Sequence, residues 1–442
     1  MGRSRAGKLP PDPVTVQIES MSADGRGIAS VAGRSVLIHG ALTGERILFR
    51  YTRIKGEQAE GVLEEVLIPS PDRVPAACPH YGVCGGCSLQ HQSASAQIRD
   101  KQQVLLHALA SIGKLTPDRI LPPLTRDPVW GYRKKARLGV KYVAKKGRVL
   151  VGFRERGSGF ICDTERCLVL DPKVGELLIP LARMIDELSI KERIPQIEVA
   201  MGDSDCMLIF RLLSPASAAD LQHLSAFCEA HGVIPYLQEG GVESVRPLSG
   251  ESRELCYRLP LHGLEFRFRP TDFTQVNSAL NRLMVDHALQ LLDPRPEDSV
   301  LDLFCGLGNF TLPLARCVGE VTGVEGDAGL VTRARQNALA NGIHNVRYYA
   351  ANLYQPLEHE PWLCELYGKV LLDPPRSGAQ EVLRHLPRIG ARRIVYVSCY
   401  PDTLARDAGE LVHLHGYRLL ATGVMDMFPH TAHVESIALF ES

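Results

Sequence analysis

From Val14 to about Ile68, short apolar runs alternate with glycine-bearing turns: Val14-Thr-Val-Gln-Ile18, Ser35-Val-Leu-Ile-His39, Glu45-Arg-Ile-Leu-Phe49 and Gly61 to Leu67. Strands at about ten-residue spacing, with no helical stretch between them, predict a small β-barrel over 12–70. Pro69, Pro71 and Pro75 then mark a linker. Residues 78–265 read as a mixed α+β region: a cysteine cluster, a helix from Ser95 to Ser111, and strand-like basic sequence from Trp130 to Phe160. Over 266–442 the pattern becomes regular. Apolar strands near Ser299–Phe304, Glu320–Glu325, Lys369–Asp373 and Arg393–Ser398 alternate with amphipathic helices such as Asp327–Asn341 and Asp402–Leu414. That alternation predicts an α/β unit, a parallel sheet with helical crossovers.

A chain of 442 residues is long enough for two or three domains, each with its own core. Net charge is zero, so a polyanion would be met by a local patch and not by the field of the whole protein. Met1 to Lys8 are basic but lead into no apolar signal region, and no apolar run reaches about 18 residues. The expectation is a soluble cytoplasmic protein with no membrane contact. Twelve cysteines in a reducing compartment argue for free thiols or metal ligands before disulfides.

Chemistry concentrates at the predicted strand ends. Cys399 ends the apolar run Arg393–Ser398, and Tyr400-Pro401 argues against a smooth continuation into a helix. A thiol there sits at the carboxyl edge of a sheet, where α/β enzymes hold their ligands; the alternative is a small buried hydrophobe. Upstream, Val300-Leu-Asp-Leu-Phe304 runs into Cys305-Gly-Leu-Gly-Asn309 and then a predicted helix, Phe310–Ala315. Two glycines allow close backbone approach, the helix start offers N–H groups to an anion, and Glu325 at the next strand end can take both hydroxyls of a ribose. The third glycine of a dinucleotide fingerprint is replaced by Asn309-Phe310, which disfavours a pyrophosphate and suits S-adenosylmethionine. Asp373-Pro-Pro-Arg376 leaves a carboxylate at another strand end, facing the same crevice. Gln275 and Asn277 precede a helix near Ser278 and are read either as its cap or as readers of a base edge.

A thiol and a carboxylate together suit methyl transfer to carbon 5 of a pyrimidine. Uracil C5 is too weak a nucleophile until a thiolate adds to C6, and afterwards a base must remove the C5 proton. Cys399 and Glu435 fit those two roles, with Asp373 or Gln275 holding the pyrimidine edge; His430 and His433 are competing bases. Separately, Cys78, Cys84 and Cys87 follow a C-x5-C-x2-C spacing rich in glycine, a strong metal-site signal. Cys162 and Cys167 are candidates for the fourth ligand, and zinc or a [4Fe-4S] cluster would each accept four thiolates. From Tyr132 to Arg156, ten Lys or Arg face one acid, Glu155, with Trp130, Tyr132, Tyr142 and Phe153 interleaved. Cations with aromatic faces suit single-stranded RNA.

Together these residues resemble the RNA uracil-C5 methyltransferase family over nearly the whole chain, and most closely its iron-sulfur branch that acts on uridine 1939 of 23S ribosomal RNA. The resemblance implies a Rossmann-like class I methyltransferase domain at 266–442, a TRAM (OB-like) RNA-binding barrel at 12–70 and a cluster-bearing central domain at 78–265. It implies a [4Fe-4S] cluster on Cys78, Cys84, Cys87 and Cys167, and S-adenosyl-L-methionine against Gln275, Phe304, Asn309, Glu325, Asn352 and Asp373. Cys399 matches the family nucleophile and Glu435 its proton-abstracting base. The family's usual Ser-Cys-Asn-Pro is Ser-Cys-Tyr-Pro here, so its asparagine has no counterpart at Tyr400. The implied partner is 23S ribosomal RNA, bound by a monomer. Other readings are C5 methylation of another 23S or transfer RNA uridine, or a non-catalytic, cluster-bearing RNA-binding or redox-sensing protein.

Overall fold

The computed structural model describes residues 9–442; the basic Met1–Lys8 segment lies outside them. Strands Val14–Gln17, Ser20–Met21, Gly27–Val31, Arg34–His39, Arg46–Lys55 and Gln58–Ile68 form the first sheet. The run 14–21 pairs with Arg46–Lys55 through its first half and with Gly27–Val31 through its second, which closes the sheet on itself. Alternating burial points Val36, Ile38, Ile47 and Phe49 into a small apolar core. Closure removes free edges.

A second, mixed sheet has the order Arg246–Pro247, Ile234–Gln238, Cys206–Arg211, Gln196–Met201, Lys135–Val143 and Arg148–Gly152. Helices Leu178–Asp186 and Ala218–Ala230 contribute to its core.

The third sheet has eight strands. Val346–Ala350, Glu320–Glu325, Ser299–Leu303, Lys369–Leu372 and Arg393–Ser398 run parallel in that spatial order, followed by antiparallel Glu435–Glu441 and then Arg418–Met425. Its central strands are near-continuous apolar runs because both faces are covered. One face packs on the helix Ser278–Leu292 and the other on Pro401–His413. The latter face is also covered by the helix Ala94–Ala108, which comes from the middle of the chain, and Arg119–Ile120 adds the eighth strand. The hairpin Leu255–Leu259/Leu264–Phe268 straddles the expected division at 266 and packs into the core of this last sheet.

Two local expectations are corrected. The helix expected at Asp402–Leu414 is present as Pro401–His413, but it follows Tyr400 directly and without the expected break, with Pro401 in its first turn where a missing N–H costs nothing. The helix after the glycine loop is a single turn, Thr311–Ala315, too short to direct a macrodipole at an anion.

Candidate active site

The carboxyl ends of the parallel strands open into one cavity of about 620 Å³. Gln275, Phe304, Asn309, Glu325, Asn352, Asp373, Cys399 and Glu435 all line it.

Its cofactor side is built from strand ends. Phe304 leaves the strand Ser299–Leu303 with φ +64°, a left-handed conformation that a bulky side chain rarely adopts, and its ring lies 5.8 Å from that of Tyr354. Gly308 has φ +89°, and a Cβ there would stand 2.9 Å from the Tyr348 hydroxyl, so the loop requires glycine. One Glu325 carboxylate oxygen accepts the Gly306 N–H at 3.1 Å and the other accepts the Asp327 N–H at 3.0 Å. Both oxygens keep lone pairs for a ligand. Asn309 exchanges reciprocal amide bonds with Asn281 at 2.9 and 3.0 Å, and its oxygen also accepts from Tyr257. Asn352 accepts the Tyr354 N–H at 3.0 Å. Asn277 is the helix cap, accepting from Leu280 N, whereas Gln275 reaches the cavity.

Sheet register explains how Cys399 and Glu435 meet. Ser398 pairs with Ser436 across adjacent antiparallel strands, so Cys399 and Glu435 occupy the next cross-strand positions outward. Cys399 is half-buried, and its thiol is pushed up to about 11, first by burial and then by the charges of Glu435 and Asp373, against which Arg376 acts. Burial lifts the Asp373 carboxyl to about 7. Glu435 is held well above the usual carboxylate range by burial and by Asp373.

The two competing histidines separate. His433 lines the cavity and its Nδ1 accepts from Arg376 at 3.1 Å. His430 does not line it; its ring is buried and stacked on Trp130 with centroids 3.6 Å apart, and burial lowers it to about 4. His430 is a structural residue of the turn, which corrects its reading as a base.

A second cavity is lined by Cys78, Cys84, Cys87 and Cys167, with Cys162 buried outside its lining. Among the described residues, no group of three or more His, Cys, Asp or Glu stands where it could hold a metal ion. Four thiols lining one space are a donor set that zinc or an iron-sulfur body would each accept. Amide donors face the sulfurs: Gly86 toward Cys84, the Gln90 side chain toward Cys87, and Val169 and Leu170 toward Cys167. Burial raises Cys84 to about 12 and Cys87 to about 11, so bound cations are what would make these thiols thiolates.

The aromatic half of the basic stretch is corrected as well. Tyr132 is buried and donates to Pro429 O at 3.0 Å, Trp130 is spent on His430, Tyr142 lies under Lys191, and Phe153 borders the cysteine cavity beneath Arg133. Several cations are also paired within the protein, Arg137 with Glu198 and both Lys146 and Arg148 with Asp163. The exposed aromatics nearby are Phe160, 73% exposed, and Phe273, 68% exposed.

Similarity to known proteins follows the same outline. Over 442 residues the chain is 54% identical to the 23S rRNA (uracil(1939)-C(5))-methyltransferase RlmD of Alkalilimnicola ehrlichii, covering all of this chain and 99% of that protein. The protein of the same name from Methylococcus capsulatus is 54% identical over 440 residues, 99% of each chain. The chain belongs to the RNA uracil-C5 methyltransferase family. Its residues 253–442 match the family model described as tRNA (Uracil-5-)-methyltransferase. The crystal structure of Pyrococcus abyssi tRNA (uracil-54, C5)-methyltransferase in complex with S-adenosyl-L-homocysteine superposes with a TM-score of 0.73 at 23% identity, over 96% of this chain and 99% of that one. The fold is therefore that of a class I, Rossmann-like methyltransferase of this family.

Three further residues reach this cavity without a sequence signal that places them there. Arg133 lines the cavity because backbone bridges tie it to Asn277 on one side and Leu170 on the other. Tyr354 and Phe428 come from loops without a recognisable spacing. Arg376 was visible as the end of Asp-Pro-Pro-Arg, and its charge opposes the carboxylates around Cys399.

Proposed function

We propose that this chain methylates C5 of uridine 1939 in 23S ribosomal RNA, with Cys399 as nucleophile and Glu435 as general base. The observation that carries the reading is the single cavity shared by Cys399, Glu435 and the strand-end residues Phe304, Glu325 and Asp373. Full-length similarity to enzymes named for that uridine supports the substrate.

S-adenosyl-L-methionine fits the strand-end side: Glu325 for the ribose, Phe304 and Tyr354 for the adenine, and the Gly306–Gly308 loop for close backbone approach. When bound it supplies an electrophilic methyl group. Cys399 loses its proton to water at the cavity mouth, and its sulfur forms a bond to C6 as the C5–C6 π pair moves onto C5 and O4. Once C5 carries the methyl group, the Glu435 carboxylate takes the C5 proton, the double bond re-forms and the C6–sulfur bond breaks, returning the thiolate. A raised carboxyl such as Glu435 is a stronger proton acceptor than a solvated one. The target base must leave its stack to reach Cys399.

We further assign Cys78, Cys84, Cys87 and Cys167 to a [4Fe-4S] cluster, and read 12–70 as a TRAM-like RNA-binding barrel, 78–265 as the central domain and 266–442 as the methyltransferase domain. Exposed Lys141, Lys145 and Arg154 supply phosphate contacts. One chain provides every group in the cavity, so a monomer suffices, acting in the cytoplasm. Among the described residues no helix is long and apolar enough to cross a membrane.

The test is a 23S fragment carrying 5-fluorouridine at the target. Fluorine cannot leave as a proton, so the enzyme should become covalently attached to the RNA, and Cys399→Ala should not. Lack of an adduct with the native chain would overturn the assignment and favour an RNA-binding role.

A further inference from the structure

Glu435 opens its strand and is delivered by the turn 426–434, and that turn is held largely from outside the methyltransferase sheet. The Ser88 and Leu89 N–H groups both donate to His430 O, at 2.9 and 3.0 Å. Ser88 Oγ accepts the Ala432 N–H at 2.8 Å. Gln97, 1% exposed, accepts the His430 N–H at 2.8 Å through its oxygen, while its nitrogen donates to Leu89 O and Gln92 O. Lys101 Nζ donates to Asp426 at 2.7 Å and to Phe428 O at 2.9 Å. At the centre His430 has φ +66°, a conformation an L residue keeps only when its surroundings over-determine it.

We propose that Ser88, Gln97 and Lys101 form a positioning brace whose task is to aim Glu435 at the C5 proton. The inference rests on the reading of Glu435 as the base. Cys399, by contrast, hangs from the buried strand Arg393–Ser398 and is independent of the brace. Loosening the turn therefore separates the two chemical steps: addition to C6 continues, while proton removal from C5 suffers from a base out of reach. A misplacement of about 1 Å can slow a step by about a hundredfold. The brace starts at the residue after Cys87, so the base turn and the wall of the cysteine cavity share one stretch of backbone.

The experiment uses the full chain with a 23S fragment containing ordinary uridine, in single turnover, resolving covalent adduct from released methylated RNA. Ser88→Ala and Gln97→Met should bind S-adenosylmethionine and form adduct as the native protein does, yet release it about 10- to 100-fold more slowly. Ser88→Thr, which keeps the hydroxyl, should restore release. Amide exchange over 426–434 should accelerate in the two slow variants and not in the strand Ser299–Leu303. Release at the native rate in both variants, beside a Glu435→Gln control that does accumulate adduct, overturns the brace. Equal slowing of formation and release that threonine does not restore overturns it too, because that marks general destabilisation. If Glu435→Gln itself accumulates no adduct, the base assignment falls first and the brace with it.

Discussion

Replacing Asp373 with Asn should make the free protein more stable, and increasingly so as pH rises. Burial lifts this carboxyl from 3.8 to about 7, so between those pH values the folded chain binds a proton that the unfolded chain has released. Stability then falls with rising pH across that window, because the folded state is the one that must give up its proton. The gap is roughly three pH units at about 1.4 kcal/mol each, an upper limit of about 4 kcal/mol. Asp373 is only half-buried, and screening by the water that reaches it reduces the figure to about 2 kcal/mol. For a unit of the size of the C-terminal part that corresponds to ~4–8 °C in Tm. Thermal unfolding of native and Asp373→Asn protein without cofactor, followed from pH 4 to pH 8, measures it. The two curves should nearly coincide at pH 4 and separate progressively to pH 8, while S-adenosylmethionine binds the variant more weakly. A gap of the same size at every pH would refute the reasoning, since a packing effect has no reason to titrate.

Lys101→Met should be severely destabilising, by about 3–5 kcal/mol, because it strands Asp426 in a site where both partners are 5% exposed or less; adding Asp426→Asn should recover part of the loss in denaturant melts, and a cost below about 1 kcal/mol would contradict the buried pair. Alkylation of Cys399 by iodoacetamide should gain about tenfold per pH unit from pH 7 toward 10, as expected of a thiol near 11, and Glu435→Gln should move the profile to lower pH; a plateau near pH 8 would sink that account. Protein purified without oxygen should contain iron and sulfide in equal amounts, lost in Cys167→Ser and kept in Cys162→Ser; the opposite outcome would exchange the two cysteines as fourth ligand.

Strand ends were legible because apolar runs stop at residues with obvious chemistry. Phe304, Glu325, Asp373 and Cys399 each terminate such a run, and a parallel sheet brings all its carboxyl ends to one edge. Glu435 was visible as a carboxylate but not as a neighbour: its position opposite Cys399 depends on an antiparallel register between segments far apart in sequence. The basic stretch misled for a related reason. In Lys135–Val143 alternate residues such as Leu138 and Val140 face the core, so cations and apolar side chains interleave because of the strand period alone. The nearby aromatics look like stacking surfaces in the sequence, whereas in the fold packing uses them. Arg133 stands out in the sequence only as one cation of the basic stretch, and the Ser88–Lys101 segment not as a site element at all, since nothing local shows that a chain will return across the third sheet.

That return explains why the methyltransferase sheet does not stand by itself here. A cavity that desolvates a thiol and two carboxyl groups raises all three above their solvated levels, and whatever charge they carry near neutrality weighs against folding. The turn delivering one of them also contains a strained histidine. The turn has few bonds of its own to set against these costs, being nine residues of loop whose internal bonds run through Thr431. The compensation comes from the helix Ala94–Ala108, which buries Ile98 and Leu105 against the sheet while presenting Gln97 and Lys101 to the turn. The same segment thus supplies apolar burial on one side and fixed donors and acceptors on the other. A group that must be reactive is poorly held by its own immediate neighbours, and in this chain the holding is done by residues more than 300 positions away.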